Sequence, residues 1–155
     1  MFRSLLVPID GSDYAQTALQ IACQLATPNQ GTIHLLTVQE PFEPMQYGGD
    51  YRVHQMVREA VIDKAEKEGR AILDRAIELM PSSHYKGDVQ TLLRLGSPAD
   101  IIVEEAKRLN VDAIVMGSRG LTDLRGFIVG SVSHKVSHVA ECMVISVHEQ
   151  HGGRA

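Results

Sequence analysis

Short apolar runs alternate with longer amphipathic stretches along the chain, a pattern typical of strands that alternate with helices. The predicted strands are apolar runs bounded by turn residues, at 4–9, 32–38, 88–95, 111–116 and 143–147. The predicted helices repeat apolar residues every three or four positions, at 13–26, 51–80, 98–110 and 131–140. Because right-handed crossovers place helices on both faces of a parallel sheet, this order predicts an open, mainly parallel α/β sheet.

Two helix starts are marked by capping residues, and the long helix contains one internal glycine. Ser12 precedes the first helix and Ser97 the third, where Pro98 at the first helical position strengthens the prediction. Gly69 costs the long helix about 1 kcal/mol relative to alanine, so a kink or break is expected there. The apolar face predicted for that helix consists of Val53, Met56, Val57, Ala60, Val61, Ile72, Leu73, Ala76, Ile77 and Met80.

Composition places the chain among globular proteins of one domain. Its 155 residues fit a single domain, assigned to 1–149, followed by a disordered tail at 150–155. Hydrophobic residues make up 44% and charged residues 22%, and the formal net charge of −4 argues against a nucleic-acid-binding surface. No run approaches the ~18 apolar residues of a membrane span. Because the chain shows no signal-peptide pattern, and Cys23 and Cys142 have no metal or redox spacing, we expect a cytoplasmic protein.

A glycine-rich segment follows the fourth predicted strand. Residues 116–120 read Met-Gly-Ser-Arg-Gly, and Gly130-Ser131 then opens the last helix. Glycines allow backbone amides to approach an anion closely, and a helix N-terminus adds its positive dipole end and unpaired amides. The segment therefore predicts an anion-binding loop. The alternative is a glycine-rich connection that binds nothing.

The position of this segment in the predicted sheet favours a ligand. Ligands of open α/β sheets bind at the carboxyl ends of the strands, where the strand order reverses. Asp10, Val38 and Gly117 lie at three such ends. If the first and fourth strands are neighbours, the Asp10 carboxylate faces the glycine segment across a crevice, an arrangement that suits ribose hydroxyls and phosphates together.

These residues resemble the universal stress protein family over nearly the whole chain. The most specific part is Gly117-x2-Gly120-x9-Gly130-Ser131, which matches the nucleotide-binding signature of the ATP-binding branch, and residues 96–99 and 111–118 also look like that family. The resemblance implies a single five-stranded parallel sheet in the order 3-2-1-4-5, of the adenine nucleotide alpha hydrolase type. It also implies ATP as the cofactor, with or without Mg²⁺ or Mn²⁺, and a homodimer joined through the last strand.

The resemblance also implies a role for each matching residue. Asp10 would accept hydrogen bonds from the ribose hydroxyls, and the backbone of Val38 would contact the adenine edge. Gly117 would line the ribose, and amides and hydroxyls of the glycine segment and the last helix would hold the phosphates, with Arg119 as a further phosphate contact. The expected site residues are Pro8, Ile9, Asp10, Val38, Met116, Gly117, Ser118, Arg119, Gly120, Gly130, Ser131, Val132 and Ser133.

The chain departs from the family and from other phosphate-binding motifs at informative places. Met143 stands where the family often has proline, which leaves an additional amide at the start of the last strand. No lysine follows the last glycine as a Walker A loop requires, and the first turn lacks the glycines of a dinucleotide site. His134 and His138 alone do not make a zinc site.

The sequence therefore predicts a regulatory adenine-nucleotide-binding homodimer without a dedicated catalytic or metal site. Two alternatives stay open. One is a slow ATPase or a phosphoryl- or nucleotidyl-transfer enzyme on the same fold, with residues 40–50 as a substrate lid. The other is an interaction module that binds no nucleotide.

Overall fold

In the computed structural model, the protein is a five-stranded sheet with helices on both faces. The structure describes residues 1–42, 49–80, 85–120 and 130–148. The strands are β1 (Ser4–Pro8), β2 (Thr32–Gln39), β3 (Val89–Leu95), β4 (Ala113–Gly117) and β5 (Met143–Val147). The helices are α1 (Asp13–Ala26), α2 (Tyr51–Glu78), α3 (Pro98–Leu109) and α4 (Ser131–Val139), with a 3₁₀ turn at Thr27–Asn29 after α1. The predicted α/β class is confirmed.

The strand order is β3-β2-β1-β4-β5, and every neighbouring pair is parallel. The order implied by the family resemblance is therefore confirmed, together with the contact between β1 and β4, where Leu5 pairs with Ala113. The side chain of Asp112 fixes this junction. Its Oδ2 accepts hydrogen bonds from the amides of Arg3 (2.7 Å) and Ser4 (2.9 Å).

Alternate strand residues build two separate cores, one on each face of the sheet. Leu5, Val7 and Leu35 belong to the core beneath α1 and α2, whereas Leu6 and Leu36 belong to the core beneath α3 and α4. This alternation follows from the two-residue period of a strand. Because both faces are covered, the strands are apolar on both sides, which is why they appear in the sequence as nearly continuous apolar runs.

The two predicted caps behave differently. Ser12 caps α1, and its hydroxyl accepts a hydrogen bond from the Ala15 amide at 3.2 Å. Ser97 occupies the N-cap position of α3, but its side chain makes no capping hydrogen bond. The sequence therefore predicted the position of the second cap correctly. The capping hydrogen bond from the Ser97 side chain, expected of an N-cap serine, is not formed.

The long helix α2 differs from its prediction in two ways. It runs unbroken through Gly69, so the break considered at that residue does not occur. A Cβ at Gly69 would lie 2.7 Å from Leu93 Cδ1 and 3.1 Å from Gln39 Cγ, so the missing side chain lets α2 pack closely on β2 and β3. The apolar face is buried only in the second half of the helix, through Ala65, Gly69, Leu73 and Ala76. Val53, Met56, Val57, Ala60 and Ile77, predicted to be buried, are exposed.

The remaining differences are shifts of element ends. The first strand ends one residue earlier than predicted, and the fourth covers Ala113–Gly117 rather than 111–116. The predicted tail at 150–155 lies outside the described residues, as do residues 43–48 of the predicted loop and residues 121–129 of the glycine segment.

Candidate functional site

A cavity of about 620 Å³ opens at the carboxyl ends of the central strands. Its walls come from the residues after β1, the end of β2, the end of β4 and the first turns of α3 and α4, and one side is closed by α2. Apolar side chains such as Leu36, Ile72 and Met116 form much of the lining, and a few polar groups converge on it. Ligand cavities in proteins commonly occupy about 300–1,000 Å³ and combine such apolar walls with a few placed polar groups.

Asp10 lies just past the end of β1. One of its carboxylate oxygens accepts a hydrogen bond from the Ser12 amide at 2.9 Å, and Asp10 also lines the cavity. Gly11, between the two, has a φ of +87°, a conformation that glycine adopts without strain. The turn from β1 into α1 therefore holds this carboxylate at the cavity mouth.

Near the end of β2, the backbone of Val38 faces the cavity. The Leu36 carbonyl accepts a hydrogen bond from the Ile9 amide at 2.8 Å, and the Gln39 carbonyl accepts one from Gly96 at 2.9 Å on the opposite side. Backbone groups alternate in direction along a strand, so the N–H and C=O of Val38 point to the same side as those of Leu36. Strand β1 pairs with β2 only as far as Pro8 with Leu36. The Val38 groups therefore face the cavity beyond the end of β1.

Gly117, at the end of β4, lies beneath the start of α1. A Cβ there would lie 2.7 Å from Tyr14 Cβ, 3.0 Å from the Tyr14 carbonyl carbon and 3.1 Å from the Arg119 carbonyl oxygen. Only glycine allows α1 to lie this close to β4. The same residue lines the cavity, so its absent side chain serves both helix packing and cavity shape.

The chain that leaves β4 returns to it at the start of α4. The Gly130 amide donates to the Ser118 carbonyl at 2.6 Å, and the Ser118 amide donates to the Val147 carbonyl at 2.8 Å. The first hydrogen bond of α4 runs from the His134 amide to the Gly130 carbonyl at 2.9 Å. The amides of residues 131–133 therefore have no acceptor within the helix, which is the usual condition of a helix N-terminus and one that suits an anion.

Two side-chain contacts hold α4 in position. Lys135 Nζ lies 2.8 Å from Asp100 Oδ1 on α3, and this hydrogen bond holds the pKa of Asp100 below its usual range. Ser133 Oγ lies 3.2 Å from Ser146 Oγ on β5. Both contacts fix the direction in which the helix N-terminus points.

Ten of the thirteen predicted site residues line the cavity: Pro8, Ile9, Asp10, Val38, Met116, Gly117, Arg119, Gly120, Val132 and Ser133. The other three are Ser118, Gly130 and Ser131. Ser118 is buried at 1% exposure with no hydrogen-bond partner for its hydroxyl among the described residues. The Gly130 amide is already bonded to Ser118, and Gly130 has an ordinary φ of −71°. Neither residue offers its polar group to the cavity in this structure.

Sequence reasoning missed the wall contributed by α2. Glu68, Ala71 and Ile72 line the cavity, opposite the strand ends from which a site was predicted. The available signal was Gly69, which was interpreted as a weak point in the helix. Its close approach to Gln39 and Leu93 is what brings the adjacent Glu68 to the cavity.

Two kinds of feature are absent from the described part of the chain. Among these residues, no group of three or more His, Cys, Asp or Glu side chains is placed to hold a metal ion. No helix there is long and apolar enough to cross a membrane.

A sequence profile of the universal stress protein family matches residues 1–148. The chain belongs to the universal stress protein family. It is similar to the universal stress protein YxiE of Bacillus subtilis (strain 168), with 36% identity over 150 residues, which cover 95% of this chain and 99% of the relative.

Solved structures of universal stress proteins share the fold. The protein UspA from Lactobacillus plantarum superposes with a TM-score of 0.75 at 25% identity, covering 94% of this chain and 97% of its own. A universal stress protein in complex with cAMP has a TM-score of 0.59 at 23% identity, covering 95% and 97%. One from Archaeoglobus fulgidus in complex with dAMP has a TM-score of 0.64 at 21% identity, covering 95% and 98%.

Proposed function

We propose that the cavity binds an adenine nucleotide, with ATP as the physiological ligand, and that the protein is a cytoplasmic regulatory homodimer rather than a dedicated enzyme. The nucleotide-binding domain in this proposal spans residues 1–149. The observation that carries the proposal is the convergence of three groups on one cavity: the Asp10 carboxylate, the outward-facing backbone of Val38 and the N-terminus of α4. Two structural neighbours, in complex with cAMP and dAMP, support the choice of adenine.

Each group suits one part of the nucleotide. The Val38 N–H and C=O offer one donor and one acceptor, the pair that an adenine edge needs. The Asp10 carboxylate can accept hydrogen bonds from both ribose hydroxyls, and charge-assisted bonds of this kind are the stronger ones. The amides at the start of α4 can bind the phosphate oxygens, and so can Arg119, which lines the same cavity.

The described part of the cavity lining has few cationic groups for phosphoryl transfer. Arg119 is the only cationic side chain among the cavity-lining residues that the structure describes. Enzymes that transfer a γ-phosphoryl group combine a lysine or arginine on the phosphates with carboxylates that hold Mg²⁺. Since the described residues hold no metal cluster, Mg²⁺ or Mn²⁺ would enter with the nucleotide phosphates.

The ribose contact is tested by replacing Asp10 with alanine, with Asp13→Ala as the matched control. Asp13, the first residue of α1, is an exposed carboxylate three residues further along the chain, and it does not line the cavity. Loss of hydrogen bonds to a charged acceptor costs about 1.5–3 kcal/mol, roughly ten- to a hundredfold in affinity. Calorimetric titration with ATP should show this loss for Asp10→Ala only. An equal loss for 2′,3′-dideoxy-ATP would mean that Asp10 does not contact the ribose.

The phosphate contact is tested at Ser131, the first residue of α4. Proline is favoured at that position, and the preceding Gly130 (φ −71°, ψ 159°) already has the extended conformation that precedes proline. Ser131→Pro removes the amide, whereas Ser131→Ala removes only the hydroxyl. We expect a roughly tenfold weaker affinity for ATP in the proline variant, from one lost charge-assisted bond, and unchanged affinity for adenosine. Wild-type ATP affinity in that variant would contradict phosphate binding at α4.

Turnover separates the proposal from the enzymatic alternative. Release of phosphate or transfer to an acceptor at more than one turnover per minute with Mg²⁺ or Mn²⁺ would favour a catalyst on this fold. Native mass spectrometry that shows no nucleotide, with no binding by calorimetry, would favour an interaction module.

A further inference from the structure

The first half of α2 lies outside both cores. The buried residues of this helix are Ala65, Gly69, Leu73 and Ala76, and none of residues 51–64 is buried. At ~1.5 Å per residue, about 21 Å of helix therefore contains no buried residue, and only His54, Val61 and Ile62 within it are partly buried. A helix without tertiary packing has little to stabilise it in water, because packing of an apolar face supplies most helical stability.

This unpacked half carries an apolar stripe. Val53, Met56, Val57 and Ala60 are all exposed, and the exposed fractions of the first three are 58%, 69% and 41%. At about 100° per residue these four positions fall within about 100° of the helix circumference, the width of a helix face that packs on another element. Contiguous exposed apolar surface of this kind marks an interaction site. We call these four residues the α2 stripe.

Charged residues surround the α2 stripe in a self-complementary order. Asp50, the N-cap of the helix, lies before the stripe, and Lys64 continues its line at the other end. Arg52 and Glu59 are seven residues apart, so both lie on the same flank. The two ends of the stripe therefore carry opposite charges, and this flank carries one charge of each sign from Arg52 and Glu59.

We propose that the α2 stripe binds the α2 stripe of a second copy of this chain, antiparallel about a two-fold axis that passes between Met56 and Val57. This symmetry places Met56 against Val57 of the second copy and Val53 against Ala60. It also brings Lys64 to Asp50 at each end. The two-fold axis places each flank of one helix beside the same flank of the other. Arg52 of each copy therefore lies near Glu59 of the other copy, which gives two ion pairs. The pairing is isologous and satisfies both subunits equally.

Other arrangements lose these pairs. A parallel pairing would place Lys64 beside Lys64 and Asp50 beside Asp50. A membrane surface is disfavoured by charge, because amphipathic helices on anionic lipid are rich in lysine and arginine on the polar face. Residues 51–64 contain three basic and two acidic side chains, and the whole chain has a net charge of −4.

Analytical ultracentrifugation of the full chain tests the stripe itself. Met56→Glu places a carboxylate at the centre of the proposed contact, and Ile77→Glu is the matched control on the same helix, at a residue 42% exposed beyond the stripe. We expect Met56→Glu to halve the mass of the assembly and Ile77→Glu to leave it unchanged, with circular dichroism to confirm folding of both. Where β5 pairs the subunits as well, the closed wild-type assembly is a tetramer and Met56→Glu leaves a dimer, so the mass is again halved. Equal masses for wild type and Met56→Glu would overturn the proposal.

Charge reversal tests the register. Arg52→Glu and Glu59→Arg each create two like-charge contacts, which should weaken association by about tenfold, and the double variant should restore wild-type association within about threefold. Failure of the double variant to restore association would overturn the antiparallel register.

Vesicles of phosphatidylcholine and phosphatidylserine test whether the stripe binds a membrane instead. Binding of wild type but not Met56→Glu to these vesicles, with equal masses in solution, would assign the stripe to a membrane and overturn the proposal.

Discussion

Gly117 shows how one residue can serve two parts of the molecule. In the sequence it is the first glycine of a signature that resembles a nucleotide-binding loop. In the structure it lines the cavity and also lies where any side chain would collide with Tyr14 at the start of α1. Two of the three nearest atoms belong to the backbone, which cannot rotate away as a side chain can. The glycine therefore contributes to the packing of α1 on β4 even without a ligand.

Replacing Gly117 with alanine should destabilise the protein by about 1–3 kcal/mol, the usual cost of forcing an extra group into a packed core. Gly130→Ala is the control, because Gly130 has a φ of −71° that alanine adopts freely. Urea denaturation of the three proteins measures the difference. A midpoint for Gly117→Ala equal to that of wild type would show that α1 moves aside at no cost.

For single residues, the sequence predicted which parts of the chain line the cavity, but not the hydrogen-bond partners of particular groups. Ten predicted site residues line the cavity because the carboxyl ends of parallel strands meet at one edge of the sheet. The use of a particular amide or hydroxyl was not predictable. The Gly130 amide is taken by the Ser118 carbonyl, and this bond depends on where the chain returns after β4 rather than on the identity of either residue.

At the scale of helices and strands, the buried carboxylate of Glu105 links α3 to the sheet through hydrogen bonds. Glu105 is 8% exposed and accepts hydrogen bonds from Arg94 Nε on β3 (3.0 Å) and from Arg108 on its own helix, at 3.0 Å from Nε and 2.6 Å from a terminal nitrogen. Arg108, and then Arg94, hold the pKa of Glu105 below its usual range. The carboxylate is thus more acidic in the folded protein than in the unfolded chain.

Glu105→Gln should therefore lower the free energy of unfolding by about 1–2 kcal/mol at neutral pH, a value reduced for the partial exposure of both arginines. A depressed pKa stabilises the fold fully above the unfolded value of about 4.3, and that contribution is lost as pH falls through the folded value. The difference between wild type and variant in urea should accordingly shrink between pH 6 and pH 3. A constant difference over that range would mean that packing rather than charge matters here.

Elements were predictable where one local pattern decides them, and less so where tertiary packing does. Nearly continuous apolar runs located the strands, because both faces of the sheet are buried, and repeats of three to four residues located the helices, because one face of each is buried. The same repeat made the whole of α2 look buried. Periodicity shows that Val53 and Met56 share a face, but not whether the sheet extends beneath that face.

For the molecule as a whole, β5 is an edge of the sheet. Among the described strands it pairs only with β4, and Met143 at its start is 55% exposed. The Val147 carbonyl faces β4, where it accepts from Ser118, so the backbone groups of Val144 and Ser146 point outward. An unpaired apolar edge is a template for a second strand, which supports the proposed homodimer.

Val144→Pro should convert that dimer to a form with half its mass, because proline removes one outward N–H and leaves the pairing with β4 intact. Val144→Thr is the control, since it changes the polarity of the side chain and keeps the amide. Light scattering reports the mass and circular dichroism the fold. Unchanged mass for a folded Val144→Pro protein would exclude pairing through β5.

The central place of β1 has a consequence for synthesis. Its partner β4 begins at Ala113, about a hundred residues after β1 leaves the ribosome. At ~5–20 residues per second, some 5–20 s pass before that partner exists. During this interval β1, β2 and β3 can pair, and β1 forms an open border of the nascent sheet, available to any other extended chain nearby. Among the three inner strands, the central strand β1 therefore waits longest for its second partner while the chain is being made.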